Sequence, residues 1–261
     1  MIEIVTITRS NRAYDLLDWV NYHIAIGFDK ITIYDNESEF SVTDLFKNNK
    51  NIEVKEMHSN KISPIWENVH PGLFTEICEE KRGKAEWVAF FDTDEYLFLK
   101  NSNNIKSILP EDKKILGIFW KFMSSNKYME DRNLPHIDCF RYARARDPRQ
   151  YSQNIHMKTI VNLSKMKEKL WWKTPHQPAK PHMDIYTPDG EYIPFEHVPE
   201  TEDFYIGKTV LLYHYFHQTY KDWLFKIANR KDLTQEHFLL SSYNYTIEDF
   251  SMINKKKELG I

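Results

Sequence analysis

Apolar positions along the first hundred residues change period several times, and each change marks an element. Ile2, Ile4 and Val5 alternate with Glu3 and Thr6 as far as Thr8, the period of two expected of a strand. From about Arg12 to Ile26 the period lengthens. Leu16, Trp19, Val20, His23 and Ile26 recur at helical spacing, and Gly27 supplies the stop. Lys30 to Tyr34 predicts a second strand, and strand, helix and strand in so short a stretch make a βαβ unit with the two strands as parallel neighbours. Ile52 to Lys55 alternates like an edge strand, and Trp66 to Lys81 predicts a helix ending near Gly83.

The next segment is the most informative. Trp87, Val88, Ala89, Phe90 and Phe91 form an unbroken apolar run, the mark of a strand buried on both faces in the middle of a sheet. It ends abruptly on Asp92, Thr93, Asp94 and Glu95. Beyond Pro110 the rhythm changes: Ile115 to Trp120, Ile137 to Tyr142 and Ile155 to Leu163 predict strands without helices between them. Prolines at 175, 178, 181, 188, 194 and 199 mark a long irregular stretch. Thr209 to Phe216 predicts a last strand. Thr219 with Asp222 then signals a helix reaching about Arg230, and Thr246 with Asp249 signals a terminal helix. The pattern is that of an α/β fold, a Rossmann-like mixed sheet flanked by helices.

Composition narrows the function classes. With 41% hydrophobic and 15% aromatic residues and only 7 glycines in 261, the chain is a compact globule. A net charge of -3 argues against general nucleic-acid binding. Cys78 and Cys139 are far apart and lack zinc-ligand spacing, so two thiols in a reducing compartment are expected. No signal sequence and no span of transmembrane length are read. The expectation is a soluble, cytoplasmic protein with at most peripheral membrane contact.

Ligands of open α/β sheets collect at the carboxyl ends of the strands, where Asp92, Thr93 and Asp94 are expected. In an extended segment Asp92 and Asp94 project to one side, and two carboxylates buried there without a counter-ion would be costly. Mg2+ or Mn2+ carried with a substrate phosphate would remove that cost. His214 and His176 are rival further metal ligands. Asp35 and Asn36 end the second strand, where such groups can reach a nucleotide, although a plain turn reads equally from the residue types. Thr8 and Arg12 frame the first strand-to-helix loop. Lys158, Lys226 and Arg230 are candidate cations for a departing diphosphate, with an i,i+4 pair of Asp222 and Lys226 on a solvated helix face as the rival for Lys226. Trp120, Trp171 and Trp172 are candidate sugar-stacking rings.

Several fragments together resemble glycosyltransferases of the GT-A fold, of family 92 and the bacterial family 2-like enzymes. They are LLDWVNYHIAIGFDKITIYDNES at 16 to 38, EWVAFFDTDEYL at 86 to 97, WKFMSS at 120 to 125, HMKTIV at 156 to 161, TPH at 174 to 176 and LLYHYFHQTYKDWLFKIANR at 211 to 230. The resemblance implies a GT-A domain over 1–231, with a nucleotide-binding half at 1–100, an acceptor half at 110–231, and a C-terminal helical extension at 232–261. It implies a metal-dependent, inverting transfer of a sugar from a nucleotide-diphosphate donor such as a UDP-sugar to a glycan or lipid-linked acceptor. By position, Asp35 would lie by the nucleotide, Asp92 and Asp94 would bind ribose, diphosphate and metal, and His176, His214, Lys158 and Lys226 would surround the diphosphate. Arg12 departs from the pattern, standing where relatives carry an acid. An inverting transfer needs a general base, for which Asp184, Glu191 and Glu196 remain open.

Alternatives from other classes are a metal-dependent nucleotidyltransferase or phosphohydrolase, and a nucleotide-sugar-binding protein without turnover. The transferase reading makes one structural demand. The acids should face a cleft rather than be tied inward by lysine, arginine or backbone amides.

Overall fold

A computed structural model describes residues 1–57, 66–125, 127–144, 156–174, 176–179, 184–193, 208–229, 233–236, 238 and 245–261. The predicted βαβ unit is present: β1 (Ile2–Thr8), α1 (Ala13–Ala25) and β2 (Lys30–Asp35), with β1 and β2 paired in parallel. Gly27 ends α1 in the left-handed region at φ 96°, where an L side chain would be strained and would also run into Asn104. A short helix α2 (Val42–Phe46), the edge strand β3 (Ile52–Glu56), helix α3 (Trp66–Lys81) and β4 (Trp87–Phe90) complete the first half.

The second half is mixed. It contains β5 (Glu95–Leu99), the long β6 (Ile115–Ser124), a one-turn α4 (His136–Cys139), β7 (Tyr142–Arg144), β8 (Met157–Asn162) and the small hairpin of β9 (Trp172–Thr174) with β10 (Gln177–Pro178). The two-residue strands β11 (Ile185–Tyr186) and β12 (Tyr192–Ile193) follow, then β13 (Val210–His214), α5 (Tyr220–Asn229), β14 (Tyr245–Glu248) and α6 (Ser251–Glu258).

The main sheet runs β12-β11-β6-β8-β4-β1-β2-β3, with β8 antiparallel to both neighbours. It is a mixed α/β sheet with flanking helices. β6 serves two layers. Residues 115–119 pair with β8, whereas Trp120 to Phe122 pair with β13, which in turn pairs antiparallel with β5. Alternate residues of each strand feed two cores. Ile4, Ile31, Ile33, Ala89 and Phe91 pack with Leu16, Trp19 and Val20 of α1, whereas Val5, Val88 and Phe90 pack with Phe74, Ile77 and Cys78 of α3.

Three expectations change. The stretch from Ile137 to Tyr142 is not one strand: the turn of helix α4 precedes β7. The C-terminal segment contributes β14, paired with β7, before its helix begins at Ser251. The acids after Phe91 are followed by a new strand, β5, that the sequence pattern does not predict. Within β1, Glu3 is fully buried and bound by Lys81 at 2.6 Å, with the Thr32 hydroxyl donating to the same carboxylate. Cys78 and Cys139 are both free thiols. No helix among the described residues is long and apolar enough to cross a membrane.

Burial keeps the histidines neutral. His23 donates its Nδ1–H to the Trp19 carbonyl at 2.9 Å and is pushed down to about 3, and His136 to about 4, both mainly because burial disfavours the charged ring. His176 and His214 are lowered too, again by burial first, while the buried acids Glu95 and Asp18 shift the other way. Below the ordinary value of 6.5 the unfolded chain therefore binds more protons than the native one, and stability rises with pH through that window. Denaturant titrations should show stability falling as pH drops from 7 to 5, with net proton uptake on unfolding. A flat profile over that range would contradict the assignment of buried neutral rings.

Candidate functional site

The carboxyl ends of β1, β2 and β4 share one edge, and the site is built there. Thr8 is level with Asp35 by register, and Thr8 reaches across to Thr93, hydroxyl to hydroxyl at 3.2 Å. Asp92 to Glu95 is a turn, closed by the Glu95 amide donating to the Asp92 carbonyl at 3.0 Å, so the aspartates are not on one extended face as the sequence suggested. Glu95 locks that turn a second time: its fully buried carboxylate accepts the Asp92 amide at 2.7 Å. The Tyr215 amide donates to the Asp94 carbonyl at 2.8 Å and ties the turn to the end of β13.

Each aspartate is held by a different lysine. Lys158, buried on β8, donates to Asp92 Oδ2 at 2.9 Å and lies 3.8 Å from Glu95. Lys226 of α5 donates to Asp94 Oδ2 at 2.9 Å and to the Phe216 carbonyl at 2.9 Å, and it sits over the Phe216 ring. His214 Nε2 is 3.4 Å from Asp94 Oδ1. Burial opposes ionisation of Asp94, but Lys226 and His214 outweigh it and hold the carboxyl well below the usual range. Burial likewise works against the Lys158 ammonium, yet Asp92 and Glu95 raise it. For Glu95 burial wins, and its carboxyl is pushed well above the usual range despite Lys158.

The expectation of carboxylates lacking a counter-ion is thereby corrected: lysines compensate both. The demand for outward-facing acids is met only in part, since both accept from lysine while the Asp92 side chain keeps 46% of its exposure and Asp94 16%. As a donor set, two carboxylates and a nearby imidazole suit Mg2+ or Mn2+ of the kind that completes its shell with phosphate and water. No group of three such side chains among the described residues is arranged to hold a metal by itself.

Beside this turn lies a cluster of rings. Trp120 is 4.3 Å from His214, 5.0 Å from His176 and 5.3 Å from His156, centroid to centroid, and His176 is shifted by the charges of Lys158 and Asp92 after burial itself. The weak sequence fragments around 120, 156, 174 and 214 thus converge. Of the other tryptophans, Trp172 is core against Phe74 and Phe90, and Trp171 is exposed under Lys169.

The remaining site residues separate. Asp35 accepts from the Ser38 amide at 3.1 Å, and the buried Asn36 donates its backbone amide to the Thr8 carbonyl at 2.7 Å, while its side-chain oxygen has no partner among the described residues. Both remain at the edge shared with Thr93. Asp184 precedes β11, which pairs with the first two residues of β6, at the far end of that strand from Trp120. Glu191 pairs with Lys208, ahead of β13, roughly 20 Å along that strand from His214 at 3.3 Å per residue. Neither is brought to the DTD turn, and Glu196 and Arg230 lie outside the described residues.

Sequence reasoning missed the ionic anchor next door. Arg132, with its side chain 1% exposed, grips Asp15 with both terminal nitrogens at 2.7 and 2.5 Å and Asp222 through Nε at 2.9 Å. Arg12 donates to Asp222, Asp131, Tyr14 and the Arg132 carbonyl. Its guanidinium thus joins α5 to the first loop. Asp222 is therefore buried and not the partner of Lys226, which corrects the solvated-face alternative. The predicted capping box does form, with Thr219 and Asp222 exchanging amide and side-chain contacts. A signal for the anchor was available in the unlike charges Arg12, Asp15, Asp131 and Arg132, but their separation in sequence conceals the pairing.

A family model for glycosyltransferase family 92 matches residues 8–244. The chain belongs to glycosyltransferase family 92. Curated family 92 members resemble it over shorter stretches. A protein of Ricinus communis is 33% identical over 96 residues, which is 37% of this chain and 17% of that protein, and 24% identical over a 126-residue stretch covering 48% and 21%. One of Oryza sativa subsp. japonica is 25% identical over 99 residues, 38% of this chain and 16% of the other. The matched stretches thus span about a fifth of those relatives' length. Among solved structures, HddC from Yersinia pseudotuberculosis complexed with GMP-PN aligns with a TM-score of 0.35 and 13% identity over 84% of this chain and 91% of that one, too loose a likeness to carry an argument.

Two predictions follow from these contacts. Because lysines already neutralise the aspartates, a chelator should leave the melting temperature of this family 92 chain unchanged; a marked fall on chelation, reversed by Mn2+, would show that the site needs metal to stay folded. Arg132→Met leaves Asp15 and Asp222 buried without their main partner and should cost about 3 kcal/mol in urea unfolding. A change under 1 kcal/mol would mean that the anchor is not holding α5.

Proposed function

We propose that this chain transfers a sugar from a nucleoside-diphosphate donor, a UDP-sugar first among them, to a hydroxyl of a glycan or lipid-linked acceptor, with inversion and with Mn2+ or Mg2+. The supporting observation is the pair of lysine-held carboxylates, Asp92 with Lys158 and Asp94 with Lys226, at the carboxyl edge of a family 92 sheet. Lys158 comes from the sheet and Lys226 from α5, so their ammoniums flank the turn from two elements. Cations fixed in that way meet the charge that develops on a departing diphosphate without reorganising at the moment of reaction. Asp92 and Asp94 would hold the metal ion, which when bound supplies Lewis-acid stabilisation of the same leaving group. Thr93 and Thr8 close the floor beneath, and Asp35 and Asn36 stand where the nucleoside would extend along the sheet edge. Peripheral contact with a membrane suits a lipid-linked acceptor.

The test is a binding and turnover screen. UDP-, GDP- and CMP-sugars are titrated with and without Mn2+ by calorimetry, and donor hydrolysis is followed in parallel. Metal-strengthened binding of one nucleotide series, with slow donor hydrolysis, is expected. Tight binding that ignores metal and never leads to hydrolysis would instead indicate a binding protein. Release of inorganic pyrophosphate from sugar phosphate and nucleotide would indicate a nucleotidyltransferase. Asp94→Asn should reduce turnover at least a hundredfold while the circular-dichroism spectrum is kept, since Lys226 retains the Phe216 carbonyl as a partner. Undiminished turnover in that variant would overturn the mechanism.

A further inference from the structure

Three buried ring nitrogens beside the DTD turn have no hydrogen-bond partner among the described residues: Trp120 Nε1, His176 Nδ1 and His214 Nδ1. Buried polar atoms in proteins are nearly always paired, and an indole N–H can only donate, so an acceptor is missing there. Three such atoms in one cluster of contacting rings are not a scatter of packing faults. Trp120 touches all three histidines, and His214 also packs on Phe122 and Phe216 at 4.9 and 5.5 Å. The cluster is not sealed: His156 is exposed and His176 half-buried, so it opens to solvent on their side.

Flat apolar faces combined with isolated hydrogen-bonding nitrogens match one ligand chemistry closely. A pyranose ring lays its C–H faces on aromatic rings while its hydroxyls both accept and donate. The location says which sugar. His214 reaches Asp94, and Trp120 packs on His156, His176 and His214 alike, so the ring cluster adjoins the Asp94–Lys226 pair assigned above to the diphosphate. We propose that Trp120, His156, His176 and His214 form the subsite for the sugar ring of the donor, with Trp120 Nε1 donating to a sugar hydroxyl and His176 Nδ1 pairing with another. This rests on the reading of Asp92 and Asp94 as the diphosphate site.

The experiment compares a nucleoside diphosphate with its own sugar conjugate: UDP against UDP-hexose and UDP-N-acetylhexosamine, and GDP against GDP-hexose. Titrations by calorimetry use the full chain and Mn2+. Trp120→Phe keeps a ring but deletes the N–H. It should weaken the sugar nucleotide about tenfold, as expected for one lost hydrogen bond to a buried group, while the free diphosphate changes less than twofold. His176→Phe, at a half-buried loop position, should give the same split, and it carries the test should Trp120→Phe lose its fold. Equal weakening of diphosphate and conjugate, or no change in either, overturns the sugar subsite and leaves the diphosphate reading standing. Failure of the unaltered chain to bind any of these diphosphates, with or without metal, overturns both.

Discussion

The candidate site depends on two charges arriving from outside the turn that carries its acids. Asp92 and Asp94 leave β4 together, yet Lys158 reaches one from β8 and Lys226 reaches the other from α5, more than a hundred residues on. Taking four charges toward a low-dielectric sheet edge is favourable only when partners and hydrogen bonds are all in place. The turn therefore acquires its geometry when both halves of the chain have docked. Its backbone bonds to Glu95 and Tyr215 make the same point, since one closes the turn locally and the other fixes it to β13.

Helix α5 transmits that requirement. Asp222 and Lys226 are one turn apart, and each looks inward to a different partner: Asp222 to the guanidiniums of Arg12 and Arg132, Lys226 to Asp94. The spacing that would make a weak surface pair in an isolated helix instead sets two anchor points about 6 Å apart along one axis, at 1.5 Å per residue. Arg132 extends the chain of contacts to Asp15 at the start of α1. The first loop, α5 and the DTD turn are thus fixed relative to one another by charge, in a region where β6 has just divided its pairing between two layers and the apolar core cannot do it alone.

Much of this fold could be read from periodicity, because its parallel half is made of strands buried on both faces and one amphipathic helix. Trp66 to Lys81 was delimited to the residue by its pattern and by Gly83. The errors came where periodicity stops being informative. His136 to Tyr142 mixes apolar and polar residues at too short a range for either period to show, and a turn of helix takes the first part. The apolar run through Phe91 continues past the acids in Tyr96 and Leu97, so only the reverse turn, invisible to hydrophobicity, separates β4 from β5. For the site, residue type identified Asp92, Asp94, Lys158, Lys226, His176 and His214, and these do converge. Type gave no hint of which lysine meets which aspartate, because pairing is a property of β8 and α5 packing. The buried Glu95 and Arg132 escaped notice for the opposite reason: charged residues are ordinarily solvated, and only burial reveals their role.

Lysine pairing also changes what a metal ion has to do here. If the aspartates stood bare, a divalent ion would be a structural necessity, and its catalytic part could not be separated from its part in folding. With two ammoniums against two carboxylates the formal charges of the four side chains cancel, so the argument for metal passes entirely to the diphosphate. In the proposed reaction an arriving diphosphate would offer the lysines oxygens of higher charge than a carboxylate carries, and each lysine has a second contact, Glu95 for Lys158 and the Phe216 carbonyl for Lys226, to hold it while its aspartate is shared. Glu95 suits this task because it is buried and fixed by the Asp92 amide, so the exchange requires movement of side-chain termini and not of the turn. Under the proposed mechanism a site arranged in this way would keep its shape between turnovers, which is the condition for electrostatic preorganisation at the leaving group.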